Sequence, residues 1–358
     1  MPTAAIIEIT GSHEECLYAQ VLYCKAGGFR TLLVCSEVLR EKVAEFGGDE
    51  QAFFDLTGQE KMAAEQKELE RLRAYLLSQQ VDVLIINTAH GSMIRRFVRM
   101  MSGSGINMYG VLHGINKLKG SLKQKLIGRR LKGYFLLNDY LLENLTPAQR
   151  KAKRFEVLYP IYFPQFNNPP KLEKPAGQLW VIIPGQVELK RRDYLTLIHA
   201  WAGMKERPNV RFILLGSWNH PSSDGPAVMA EMERLNVRES FEFTGYLGNA
   251  AYHAYIQASD VVAPLIHNGK PNFITYFRDQ ITGSFNMGFA YHKPFLMAEE
   301  FSRYEDFREN AIFYNTESLP DLLYDLARHL REIKPRLYQS GKWSFDYQSR
   351  KYLDFILR

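Results

Sequence analysis

Cysteine is scarce in this sequence: Cys16, Cys24 and Cys35 are the three thiols, all near the amino terminus. An odd number so placed matches neither a disulfide framework nor a zinc site, and reads as reduced core thiols in a reducing compartment. No stretch approaches the roughly 20 consecutive apolar residues that a bilayer-spanning helix needs. The opening Met1-Pro2-Thr3-Ala4-Ala5-Ile6-Ile7-Glu8-Ile9 lacks a basic region and reads as a first strand, not a secretion signal, so a cytoplasmic location is expected. After that strand, Ile9-Thr10-Gly11-Ser12-His13-Glu14 does not supply the Gly-x-Gly-x-x-Gly turn of a dinucleotide oxidoreductase. A kinase-like P-loop is missing too. Nowhere do two aspartates flank a single residue, so a metal-binding Asp-x-Asp sugar-transferase site is absent, and no metal is expected. There is no internal repeat and no low-complexity tract.

What remains is an ordinary globular composition, 46% apolar and 23% charged, over 358 residues. That length exceeds one compact core and suits two domains. In the first half, short apolar runs alternate with helical stretches. Strands are expected at Ala4–Ile9, Thr31–Cys35, Val81–Asn87, Asn107–Leu112, Gly133–Leu137 and Phe155–Tyr159, with helices at Glu14–Lys25 and Gly58–Gln79. Buried runs such as Val83-Leu84-Ile85-Ile86 are what a parallel sheet covered on both faces requires.

Pro164-Gln165-Phe166-Asn167-Asn168-Pro169-Pro170, continuing to Pro175, then marks a linker, because proline removes a donor and restricts its predecessor. A second α/β series follows. Strands are expected at Leu179–Pro184, Arg211–Leu215, Phe241–Thr244, Val261–Pro264 and Pro294–Met297. Helices are expected at Asp193–Met204, Pro226–Leu235, Ala250–Ala258 and Ser284–Tyr291. An amphipathic segment, Tyr347–Leu357, is suited to a terminal helix that packs back on the first domain. The expected division is 1–170, 171–340 and a returning helix at 341–358. Two open parallel sheets of this kind bind ligands at the carboxyl ends of their strands, where glycine turns and helix starts present free N–H groups, so the expected site is a cleft between the domains.

The net charge is +6, and excess base attracts nucleic acid, anionic membrane or phosphorylated ligands. Between Lys117 and Lys132 lie seven Lys or Arg residues and no acidic one. Leu118, Leu122, Leu126, Ile127 and Leu131 recur there at helical spacing, interrupted by Gly120 and Gly128. Such a stretch suits peripheral docking on the inner face of an anionic membrane, or a lipid-linked acceptor; the plainer reading is a solvated helix packed by its leucines. Arg95, Arg96 and Arg99 extend the patch. No nucleic-acid motif accompanies it.

The second series carries an ordered set of motifs. Pro184-Gly185-Gln186-Val187-Glu188-Leu189-Lys190 follows a strand, and Phe212-Ile213-Leu214-Leu215-Gly216 ends another. Phe243-Thr244-Gly245-Tyr246-Leu247, Ala258-Ser259-Asp260-Val261-Val262-Ala263-Pro264, Ile281-Thr282-Gly283-Ser284 and Gly288-Phe289-Ala290-Tyr291-His292-Lys293-Pro294 complete it. From Leu179 to Leu296 this resembles the donor domain of the large retaining nucleotide-sugar glycosyltransferase family often called family 4. The first half resembles that family in architecture only, plus two histidines.

The resemblance implies a GT-B architecture, two Rossmann-like parallel-sheet domains facing a cleft. It also implies hexosyl transfer from a nucleoside diphosphate sugar to a hydroxyl of a glycan or lipid-linked acceptor, with retention and without a metal or other cofactor. Gly185, Gln186 and Lys190 fall on its phosphate turn, and Lys190 would meet the departing diphosphate. Gly216 ends the next strand, Gly245, Tyr246 and Leu247 lie where the base is held, and Thr282, Gly283 and Ser284 aim backbone N–H groups at the diphosphate. His113, in Val111-Leu112-His113-Gly114, matches the family's histidine near the sugar. His90 ends a neighbouring strand, and Gly11 lies where the family places a glycine loop. Gln186 stands where the family has a phosphate-binding Arg. Asp279 and Met287 occupy the places of its paired glutamates, with the Asn286 amide beside the second. Those departures keep a second reading open: a catalytically silent homologue acting as a binding or assembly partner.

Overall fold

Every pairing between strands is parallel among the described residues, 1–56, 62–119 and 121–358 of a computed structural model, and the strands divide between two sheets. The first compact unit comprises Met1–Gln165, Asp279–Ile281 and Gly341–Arg358; the second comprises Phe166–Arg278 and Thr282–Ser340. The first change of unit thus falls inside the proline-rich segment.

In the first unit the strands are β1 (Thr3–Glu8), β2 (Arg30–Ser36), β3 (Glu50–Phe54), β4 (Val83–Ile86), β5 (Asn107–Leu112), β6 (Gly133–Leu136) and β7 (Arg154–Val157). Their order is β3-β2-β1-β4-β5-β6-β7, so the direction of winding reverses between β1 and β4, where Ile6 pairs with Leu33 on one side and Ile85 on the other. Every residue of β1 and β4 is buried, because helices cover both faces and leave no side for polar alternation. The terminal helix, Phe345–Leu357, belongs to this unit. Its Tyr352 ring stacks on Phe135 with centroids 4.6 Å apart, and Tyr109 Oη donates to the Ile356 carbonyl at 3.1 Å.

The second unit holds β8 (Leu179–Pro184), β9 (Val210–Leu215), β10 (Phe241–Phe243), β11 (Val261–Val262), β12 (Phe295–Ala298) and β13 (Ala311–Tyr314). Their order is β10-β9-β8-β11-β12-β13, again reversing beside the first strand of the series. Trp201 meets Phe212 edge-on with centroids 5.0 Å apart on one side of the core, and Phe285, Phe289, Phe295 and Phe307 pack together elsewhere in the unit.

Some elements differ from expectation. The edge strand β3 went unread because its half-buried Glu50 and Gln51 break the apolar run. The helix Ser92–Met100 is masked in sequence by three arginines. Of the helix expected at Gly58–Gln79, Met62–Ser78 is observed, and Gly58 to Lys61 lie outside the described residues. The basic stretch forms a short turn, Ile115–Leu118, and a helix, Leu122–Arg130, that Ser121 caps by accepting from the Gln124 N–H; Gly120 lies outside the described residues. Its leucines do not all pack: Ile127 and Leu131 are buried, whereas Leu122 is 71% exposed. Among the described residues no helix is long and apolar enough to cross a membrane.

Candidate functional site

Where winding reverses in an open parallel sheet, loops diverge and leave room for a ligand at the carboxyl ends of the strands. In the first unit this point carries Glu8, at the end of β1, with no exposure at all. Its carboxyl group accepts from Thr10 N (2.8 Å), Thr10 Oγ1 (2.5 Å), Thr88 Oγ1 (2.6 Å) and Asn87 Nδ2 (2.8 Å). Burial raises its pKa, and those hydrogen bonds oppose the rise. Asn87 also donates to the His13 carbonyl at 2.9 Å, while its own Oδ1 accepts from Gln20 Nε2 at 2.8 Å. The loop after β1 is thereby clamped, and His13 is held in the left-handed region at φ 66°, a conformation uncommon for a side chain of its size.

The result is a small group of interacting side chains. His13 Nδ1 lies 3.4 Å from Glu15 Oε1, and the His13 ring stacks on His113 with centroids 3.8 Å apart. His113 is buried and donates its Nε2–H to the Asn87 carbonyl at 2.8 Å, which leaves Nδ1 with the lone pair. Burial, with His13 next, pushes His113 down to about 3, so it is neutral at physiological pH. For His13 burial works downward, but the Glu15 hydrogen bond and charge, followed by Glu8 and Glu14, outweigh it and raise the pKa. His90 is half-buried, and burial, Lys117 and His13 lower its pKa.

One nitrogen or oxygen from each of His13, Glu15 and His113 lies within 4.8 Å of the others. The stacked imidazoles, however, keep their lone pairs in two nearly parallel planes, so one cation could not lie in the plane of both rings unless one of them swung. As arranged, the group suits holding and moving a proton. Gly11 lies in the same loop, at φ 78°.

Asp279, expected beside the donor, belongs to the first unit. Its carboxylate is buried and accepts from Lys119 Nζ at 2.9 and 3.1 Å. Gln280 forms an isolated antiparallel bridge with Gly114, and its carbonyl accepts from Tyr140 Oη at 2.8 Å.

In the second unit the reversal point carries the turn after β8. Gly185 has φ 108°, and a Cβ there would lie 2.7 Å from Arg192 Nη2. At the end of β9, a Cβ on Gly216 would fall 2.5 Å from the Gly185 carbonyl oxygen. Only glycines permit this approach. Arg192 is buried beneath the turn, donating Nη2 to the Pro184 carbonyl (2.6 Å) and Nη1 to that of Gln186 (3.3 Å). No carboxylate among the described residues pairs with it, so its charge is carried by backbone dipoles. Sequence reasoning missed Arg192, because Arg191-Arg192-Asp193 reads as a solvated helix start. Lys190 is exposed on the same turn, and Gln186 Nε2 donates to Ser222 Oγ at 2.9 Å.

Thr282 is the extended residue before the helix Gly283–Ala290 and supplies no side-chain cap. Its hydroxyl and that of Ser284, both buried, are 3.2 Å apart, and Gly283 is exposed. Within the helix Asn286 is 1% exposed, and neither atom of its amide has a partner among the described residues. Met287 is buried beside it. Gly245, at φ 74°, and Tyr246, 75% exposed, stand with the partly buried Leu247 on the separate loop after β10.

No family model matches the chain, and no curated protein matches its sequence. Solved structures do match. A glycosyltransferase from Rickettsia africae aligns over 99% of this chain and 97% of its own, with a TM-score of 0.62 at 11% identity. UDP-GlcNAc 2-epimerase from Neisseria meningitidis, bound to UDP-GlcNAc, aligns over 100% of both chains with a TM-score of 0.60 at 9% identity. HepE of Anabaena, in complex with UDP and glucose, covers 100% of this chain and 95% of its own, with a TM-score of 0.58 at 13% identity.

The fold is GT-B. Both Rossmann-like units of a GT-B protein are present, one on a 7-stranded and one on a 6-stranded sheet. At such low identities the likeness carries the fold, and the chemistry rests on this chain's own residues.

Proposed function

We propose that this GT-B chain is a glycosyltransferase that moves a hexosyl group from a nucleoside diphosphate sugar to a hydroxyl of a glycan or lipid-linked acceptor. The observation that carries it is the β8 turn, where Gly185 and Gly216 bare the backbone above a buried, carboxylate-free Arg192, with Lys190 exposed beside them. Negative charge grows on the departing diphosphate, and fixed donors aimed at that charge are the largest single source of catalysis in such sites. The N–H groups opening the Thr282–Ser284 helix would add to it. The buried Asn286 amide, without a partner among the described residues and beside the place of the family's second carboxylate, is the group we assign to a ribose hydroxyl.

In this reading His113, already committed to Asn87, orients rather than transfers protons, and His13 with Glu15 is the group that meets the acceptor hydroxyl. The reaction needs no metal or further cofactor. Retention of configuration follows from the family resemblance. Incubation with UDP-, GDP- and ADP-sugars and analysis of the products tests the proposal. A glycosylated acceptor supports it; epimerised donor, or no turnover of any donor, refutes it. Met287, buried where the family has a carboxylate, favours one other reading, a catalytically silent homologue acting as a binding or assembly partner.

A further inference from the structure

We propose that one face of the first unit docks on an anionic lipid bilayer. The face joins the helix Leu122–Arg130, the segment before β7 and the carboxyl-terminal helix. An open cavity of about 830 Å³ there is lined by seven Lys or Arg side chains and two acids, Glu156 and Asp354. Both acids are already paired, Glu156 with Lys351 at 2.9 Å and Asp354 with Arg358 at 3.7 Å. The other five cations are Lys132, Arg150, Lys151, Lys153 and Arg154. A neighbouring cavity of about 420 Å³ shares Lys153 and Phe155 and adds Lys125 and Arg129, with no acid.

The two cavities together gather nine cations and two acids, an excess of seven, whereas the whole chain has an excess of six. The rest of the molecule is therefore close to neutral, and the basic character resides on this face. None of the seven unpaired cations meets a carboxylate among the described residues. Arg154 lies over the Phe355 ring at 4.8 Å and donates to the Phe355 carbonyl, Lys153 donates to the Leu131 carbonyl, and Arg150 donates to the Leu142 and Leu145 carbonyls.

Apolar exposure decides the occupant. Leu122 and Leu126, one turn apart on the same helix, are 71% and 36% exposed beside Lys125 and Arg129. Neither leucine lines either cavity, but both share the helix Leu122–Arg130 with Lys125 and Arg129, and a helix with leucines between cations matches a bilayer interface, which takes the leucines among acyl chains and the cations among headgroup phosphates. A nucleic acid would use the charge but leave the leucines in water.

The test is flotation of the full chain with vesicles of phosphatidylcholine alone or mixed with phosphatidylglycerol. Flotation with the anionic vesicles only, weakening as salt is added, is expected. Each cation removed should lower partitioning about fivefold, so Lys125→Glu with Arg129→Glu should abolish it. Leu122→Ser with Leu126→Ser should weaken it at high salt, with the far-ultraviolet spectrum and melting temperature of both variants unchanged. Absence of flotation, or flotation untouched by the charge reversals, overturns the proposal. So does full competition by soluble glycerol phosphate, which marks a small-ligand site, or preference for RNA over vesicles. Flotation requires no turnover, so it is decided separately from the transferase reading.

Discussion

His13 stacks on His113 with ring centroids 3.8 Å apart, while its Nδ1 faces Glu15 at 3.4 Å. The pair is asymmetric. His113 is buried, neutral and fixed by Asn87, whereas the His13 side chain keeps 34% of its surface exposed and has a carboxylate to hold its proton.

That asymmetry gives a pH prediction. If neutral His13 is the working form, transfer rises with pH as the imidazole loses its proton, through a midpoint that Glu15 holds above the ordinary histidine value despite the opposing effect of burial. Glu15→Gln removes the largest upward influence, so the acid limb should move to lower pH. A pH–rate profile of both proteins checks this; an unmoved limb would separate Glu15 from the chemistry.

His113 makes an opposite contribution to stability. Burial depresses its folded pKa to about 3, so the unfolded chain binds a proton more readily. Its stabilising effect is complete above the unfolded value and is lost as pH falls towards 3, by up to about 1.4 kcal/mol per pH unit. His113→Gln keeps a donor for the Asn87 carbonyl and cannot titrate. Thermal melts between neutral pH and pH 4 should show a shallower acid loss in that variant, with His13 acting in the contrary sense in both.

Lys190→Ala should lower turnover by about a hundredfold with little effect on stability, the scale expected for one donor to a developing oxyanion. Lys190 is exposed, so the fold has little to lose. Rates equal to those of the parent would remove it from the mechanism.

Asn286→Leu should move two quantities in opposite directions. Replacing an unpartnered buried amide with a similar apolar volume should stabilise the ligand-free protein by about 1–3 kcal/mol. Calorimetric affinity for a nucleotide sugar should fall. If both stay unchanged, the amide is satisfied in solution and has no ribose to meet.

Much of the architecture was legible because parallel sheets bury both faces. β5 and β8 fall on the residues their apolar runs predicted. β3 was not legible, since Glu50 is used to accept from Arg30 and Tyr75 and carries no apolar signal. The candidate site was legible only where its residues are local in sequence. His113, the Gly185 turn and the loop holding His13 are such places. Glu8 looked like the end of an apolar strand, and its four donors come from residues on two loops. Arg192 was hidden for a similar reason, because nothing in a basic tripeptide says that one guanidinium is turned under the chain. Leu122 and Leu126 shared the helical spacing of packed leucines, and only the neighbours they lack distinguish them.

The brief return of Asp279–Ile281 and the later return of Gly341–Arg358 thread the first unit through three separate stretches of chain. A fragment ending at Gln165 would therefore be born incomplete, with Tyr109 and Phe135 stripped of Tyr352, Phe355 and the Ile356 carbonyl. During synthesis that unit cannot complete its packing until Gly341–Arg358 has emerged, so a stop codon that removes the helix Phe345–Leu357 should destabilise the first unit.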